Sequence, residues 1–184
     1  MLDNEEVERL AADAVSGEPG ALDTLLRHIQ PEVLRRCSRF LPCVQDAEEA
    51  CQDALLRVAE QLKTFEGRSK FSTWLYTVVS NSALQTYRTL KRRAQRQVGG
   101  VDLLDHRPDP RTTSVIAGSR IDLLDALEKL GAIRPGLVSP VVLRDIGQLP
   151  YQEIADHLRL PLGTVKSHVH DARLFVRSAM AEHA

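Results

Sequence analysis

The segment DAEEACQDALLRVAEQLK, residues 46–63, constrains the fold more than any other stretch, because its apolar residues recur at a single period. Ala47, Ala50, Cys51, Ala54, Leu55, Val58, Ala59 and Leu62 follow helical spacing and predict one buried face, with Glu49, Gln52, Asp53, Arg57 and Glu60 on the other. Leu56 breaks the pattern. It lies one turn after Gln52 on the polar side, where a large aliphatic residue gains nothing unless something covers it.

After a short polar loop, TFEGRSK, a second helix begins at FSTWLYTVVSNSALQTYRTLKRRAQR and changes character along its length. Phe71, Trp74, Leu75, Val78 and Val79 form an apolar stripe near its start. Asn81, Gln85, Arg88 and Arg92 then align on one face. Arg88, Lys91, Arg92, Arg93 and Arg96 place five cations in nine residues with no acid between them. A helix anchored in a core at one end and basic at the other suits a polyanion, since each cation set near a phosphate releases counterions. Dipole stabilisation of a solvated helix end accounts for one or two such residues more easily than five.

Aromatic content of 4% and few glycines favour an all-α protein over a β one. The formal net charge is -1, so contact with nucleic acid has to come from local patches. Cys37, Cys43 and Cys51 are odd in number and lack CxxC spacing, which argues for a reducing cytosol and against a disulfide framework. His28 could join them as a metal ligand, but buried free cysteine is ordinary. No signal peptide or membrane-length apolar run is present, so the expectation is a soluble cytoplasmic protein without membrane insertion.

Ahead of the central segment, Asn4 is placed to cap a first helix with Val7, Leu10, Ala11 and Ala14 inward. Ser16–Gly20 breaks it, and a second helix with Leu22, Leu25, Leu26 and Ile29 inward continues or kinks at Pro31. The expectation is two small helical domains, residues 1–96 and 120–184, joined by a flexible linker at 97–119 where Gly99, Gly100, Pro108 and Pro110 interrupt all periodicity. In the second domain, Leu123, Leu124, Leu127 and Leu130 predict a helix stopped by Gly131, and Ser139-Pro140 reads as a cap opening a short helix that ends at Gly147. YQEIADHL, the turn RLPLG and TVKSHVHDARLFVR then form a helix-turn-helix. Val165, Val169, Ala172 and Val176 face inward, while Lys166, His170, Arg173 and Arg177 face outward with Thr164 and Ser167 near the start. In this motif the second helix enters the major groove.

DAEEACQDALLRV, followed by Phe71, Trp74-Leu75, Asn81 and a basic helix end, resembles the promoter-melting domain of bacterial extracytoplasmic-function (ECF) sigma factors. YQEIADHLRLPLGTVKSHVHDAR resembles the C-terminal domain of the same family. The likeness covers roughly residues 16–96 and 120–178, in the family's order, and the pair is more specific than either half. It implies a transcription-initiation subunit that binds core RNA polymerase and directs it to promoter DNA, with no catalysis of its own and no cofactor. Asp46, Glu48, Glu49, Gln52, Asp53, Leu56 and Arg57 match the positions that dock on the β′ clamp helices, which gives Leu56 a partner. The β flap would meet the C-terminal domain.

The loop 64–70 and the helix after it match the part that captures an unpaired base of the minus-ten element. The resemblance assigns DNA contact there to Lys70, Asn81, Gln85, Arg88, Lys91 and Arg92. Extruding a base costs a few kcal/mol that a pocket must offset. Thr164, Lys166, Ser167, His168, His170 and Arg173 match positions that read the minus-thirty-five element. Family members are commonly held inactive by an anti-sigma factor.

Three departures stand out. Gln85 replaces a usual Asp, His168 and Asp171 replace usual arginines, and RPGLVSPVVL interrupts a helix that is normally longer. Loss of the two arginines should weaken non-specific DNA affinity and flatten its salt dependence. Two other classes compete. A helix-turn-helix regulator acting without polymerase would have no use for the Gln52/Asp53/Leu56 face. An enzyme acting on nucleic acid would need clustered catalytic groups, and the sequence offers none.

Overall fold

The computed structural model describes residues 4–41, 43–97 and 115–181, with side chains omitted at 94–97 and 115–119. Four helices make the first unit: α1 (Asn4–Ser16), α2 (Ala21–Phe40), α3 (Val44–Gln61) and α4 (Phe71–Gln97). The second unit holds α5 (Val115–Ile133), α6 (Val138–Val141), α7 (Tyr151–Leu158) and α8 (Leu162–Ala181). No strand occurs among the described residues. Most of the expected linker, residues 98–114, lies outside the described residues, as does Pro42.

The helical spacing read from the sequence becomes the first core. Ala47, Ala50, Ala54 and Val58 are fully buried, and these small side chains let α3 lie close against α2 and α4. Leu25, Ile29 and Val33 from α2 and Phe71, Leu75 and Val79 from α4 complete it. Pro31 sits inside α2 without ending it. One residue later Glu32 is buried, and its carboxylate accepts from Arg35 Nε and Arg36 Nε, each at 2.8 Å. Burial alone would raise the Glu32 pKa, but the Arg35 and Arg36 hydrogen bonds outweigh it and leave it lowered. Arg36 also lies 4.9 Å over the Tyr76 ring, tying α2 to α4.

Glu8 has a role that local sequence patterns do not reveal. Its carboxylate, carried by α1, accepts the backbone N–H groups of Phe71 at 2.7 Å and Ser72 at 3.0 Å. A residue 63 positions away thus caps the N-terminus of α4, where unpaired donors and the helix dipole both favour an anion. Replacing Glu8 by Ala is expected to lower stability by about 1–2 kcal/mol, the usual cost of a lost cap, measured by urea unfolding.

Three local expectations are revised. Asn4 is the first residue of α1 itself. Gly131 does not stop α5, which runs on to Ile133; instead it gives room to a neighbour, because a Cβ there would stand 3.0 Å from Arg88 Nη2. Ser139 is not a cap, since the turn Pro135–Leu137 has already started the chain coiling and α6 begins at Val138. Beyond α6 the coil widens into a π turn over Val142–Ile146, and Gly147 follows it as expected.

The second core contains Leu124, Leu127 and Leu130 of α5, Ile154 of α7, and Val165, Val169 and Ala172 of α8. Arg159 closes α7 in the left-handed conformation at φ 56°. Residues 159–161 therefore form the whole turn of the helix-turn-helix, and Gly163 falls inside α8. Buried residues of both units belong to one continuous hydrophobic core.

Candidate nucleic-acid interface

Two surfaces of the first unit and one of the second carry the residues singled out from the sequence. On α3, Glu48, Glu49, Gln52 and Asp53 are exposed, Asp46 and Arg57 are half-buried, and Leu56 is 59% exposed. The opposite face is sealed, so the exposure of Leu56 follows from helical geometry and not from a loosely packed helix.

The second surface combines the loop 64–70 with α4. Phe65, Phe71 and Trp74 pack edge-on or tilted with ring centroids 5.4–5.9 Å apart, and Phe71 is wholly buried. Gly67 takes the left-handed conformation in this loop, at φ 66°. A cleft of about 250 Å³ results, lined by Thr64, Phe65, Glu66, Arg68, Ser69 and Trp74 from this unit. Aromatic walls with hydroxyl, guanidinium and Glu66 carboxylate groups at the rim offer an unstacked base both a stacking surface and hydrogen-bond partners.

Further along α4, Asn81 and Arg92 are exposed while Gln85, Arg88 and Lys91 are half-buried. The Arg96 side chain lies outside the described residues. Lys91 is not free: its Nζ donates to Asp125 and, at 2.8 Å, to Glu128, both on α5. Tyr87 Oη donates to the same Asp125 carboxylate at 2.8 Å. Burial tends to lower the Lys91 pKa, but its two carboxylate partners prevail and raise it. Lys70 Nζ donates to Glu153 of α7 at 2.9 Å.

His157, also on α7, stands between Ser69 Oγ and Thr77 Oγ1, with 2.9 Å to each from opposite ring nitrogens. Burial lowers its pKa. None of Asp125, Glu128, Glu153 and His157 was singled out from the sequence. Their partners lie 34 to 88 residues away, beyond any helical repeat, so no local signal could have found them.

The third surface is the outer face of α8. Lys166, Ser167 and His170 are exposed, while Thr164 and His168 are half-buried. Arg173 is exposed and engaged, its Nε and Nη2 donating to Asp145 at 2.9 and 2.6 Å. Behind α8, Leu123, Leu127, Val141, Ile146, Val176 and Met180 line an apolar groove of about 430 Å³.

Cys37 and Cys51 are buried thiols, and burial pushes Cys37 up to about 12. No group of three or more metal-ligating side chains is gathered among the described residues. No helix among them is long and apolar enough to cross a membrane.

The chain is similar to known proteins. The Sigma-70 region 2 model matches residues 25–93 and the Sigma-70 region 4 model matches residues 139–176. The chain is 27% identical to the RNA polymerase sigma-H factor of Pseudomonas aeruginosa, over 98% of this chain and 96% of that one. It is 26% identical to the ECF RNA polymerase sigma factor SigW of Bacillus subtilis, over 90% and 92% respectively. The solved structure of CnrH in complex with the cytosolic domain of CnrY shares the fold, with a TM-score of 0.56 over 96% of this chain and 98% of that one, at 20% identity. Region 2 holds the acidic face and the aromatic-to-basic helix, and region 4 holds the helix-turn-helix, in the order read from the sequence. This chain belongs to the extracytoplasmic-function sigma factors of the sigma-70 family.

Proposed function

We propose that this chain is an alternative sigma factor whose two units divide promoter recognition, with residues 1–96 binding polymerase and the minus-ten element and residues 120–184 binding the minus-thirty-five element. The observation that carries this reading is one unit presenting both an uncovered Leu56 within an acidic face and, on the next helix, an aromatic cleft leading to a row of cations. Asp46, Glu48, Glu49, Gln52, Asp53, Leu56 and Arg57 dock on the β′ clamp helices. Leu56 supplies apolar anchorage, and the surrounding charges set register and encounter rate.

The cleft of Phe65 and Trp74 receives an extruded base. Lys70, Asn81, Gln85, Arg88, Lys91 and Arg92 then hold the strand beside it. On α8, Thr164, Lys166, Ser167, His168, His170 and Arg173 face the upstream element. The groove of Leu123, Ile146 and Met180 is the surface we assign to the β flap, or to an anti-sigma factor that displaces it. The protein works in the cytoplasm by binding, not by catalysis.

The test is run-off transcription with purified core polymerase on a library of randomised promoters. A discrete set of start sites that depends on added protein is the expected result. Failure of the protein to remain with core polymerase at moderate salt, together with no dependent transcripts, sinks the proposal.

A further inference from the structure

Among the acids of the second unit, Asp145 grips a residue that the proposed function sets against DNA. It sits in the π turn Val142–Ile146, where the Gly147 N–H donates to Val142 O at 2.9 Å. On a regular α-helix Asp145 would follow buried Val141 by one turn and share its inward face. The wider coil shifts that register, and Asp145 is exposed instead, against α8.

Its carboxylate accepts from Arg173 Nε at 2.9 Å and from Nη2 at 2.6 Å, a two-pronged grip. Because a guanidinium is planar, a grip on that edge fixes the whole group and turns the Nη1 donors away from the carboxylate. Tyr151, the first residue of α7, also lies beside the guanidinium, and its own ring is covered by Arg144 at 4.6 Å. Arg144 in turn donates to Leu149 O at 2.8 Å. Contacts running from the π turn through α7 to α8 thus set one orientation of one arginine.

Orientation matters at this position. Arg173 stands between the outer face of α8 and the rim of the apolar groove, which Asp145 and Arg177 also line. A long side chain there has two surfaces to serve, and fixing it beforehand lowers the entropy lost when it meets DNA. The pair adds little to the fold, because the Arg173 and Asp145 side chains are 51% and 34% exposed and water screens their attraction. A carboxylate beside a duplex also repels phosphate, so Asp145 works against general affinity.

We propose that Asp145 is a positioning residue for promoter recognition, holding Arg173 in the orientation that reads the upstream element while opposing attachment to any other duplex. The inference rests on the proposed assignment of α8 to that element. Specificity is a difference between two affinities, and this pair acts on both.

The test uses the full chain bound to purified core polymerase. The probes are a promoter duplex recovered from the randomised library and the same duplex with its upstream element scrambled. The unsubstituted chain should prefer the first. Asp145→Ala should cut that preference about tenfold, within the range of one well-placed arginine contact. The same variant should bind the scrambled duplex more tightly and with a steeper salt dependence, because a released Arg173 meets any phosphate. Asp145→Asn, which keeps the shape and an acceptor oxygen, should lie between. Arg173→Ala should lose the same preference, and adding Asp145→Ala to it should change the preference no further, since one residue acts through the other. Circular dichroism checks that the variants are equally helical. An unchanged preference in both Asp145 variants, equal gains on the two duplexes, equal losses on the two, or additive losses in the double variant each overturn the inference. An unsubstituted chain that binds both duplexes equally instead overturns the assignment of α8 to the upstream element.

Discussion

Replacing Gln52 and Leu56 together by alanine weakens binding to core RNA polymerase by about 2–4 kcal/mol, a loss typical of an anchor residue and its polar neighbour. Leu56 is 59% exposed, so its truncation removes little from the protein's own core. Helicity and unfolding midpoint should therefore stay unchanged while affinity, read by fluorescence anisotropy against purified core polymerase, falls. The two residues lie one turn apart, so they touch one patch of partner surface and their effects should not simply add. A reduced melting temperature with intact affinity would mean that this face supports the fold instead of docking.

Phe71→Ala should lower stability by about 3–5 kcal/mol, the range for truncating a buried aromatic ring that cannot be replaced by relaxation of its neighbours. Phe71 is 0% exposed, and its ring lies 5.9 Å from that of Phe65 and 5.4 Å from that of Trp74. Its backbone N–H also receives the Glu8 cap, so the site joins α1, the loop and the start of α4. Loss of the ring leaves Phe65 and Trp74 without a floor, and the cleft they line should lose its shape along with the fold's stability. Urea unfolding measures the first effect, and the fluorescence of Trp74, the chain's one tryptophan, reports the second. An unchanged unfolding midpoint would show that the ring is dispensable to the packing.

These two residues also show how far sequence reasoning reaches. Leu56 stood out because it violated a period that its neighbours obeyed, and Phe71 because it opened an apolar stripe. Both are statements about one helix, where burial follows from spacing of 3 or 4 residues. The same logic gave the faces of α3, α4 and α8 and the position of the helix-turn-helix. It erred where a break depends on tertiary surroundings. Gly131 was expected to end α5, but the helix continues and the missing side chain accommodates Arg88 from the other unit. Ser139 resembled a cap, but Pro135 had already begun the coil.

By itself, the sequence determined an all-α chain, an acidic face bearing one uncovered leucine, a helix graded from aromatic to cationic, and a helix-turn-helix near the end. Only the tertiary structure decided that Glu8 caps α4, that Glu32 is buried against two arginines, and that Asp125, Glu128, Glu153 and His157 lie against the cationic helix. The physical reason is range. Periodicity encodes which side of a helix leaves water, whereas a carboxylate finds a lysine tens of residues away only after two separately folded surfaces have met.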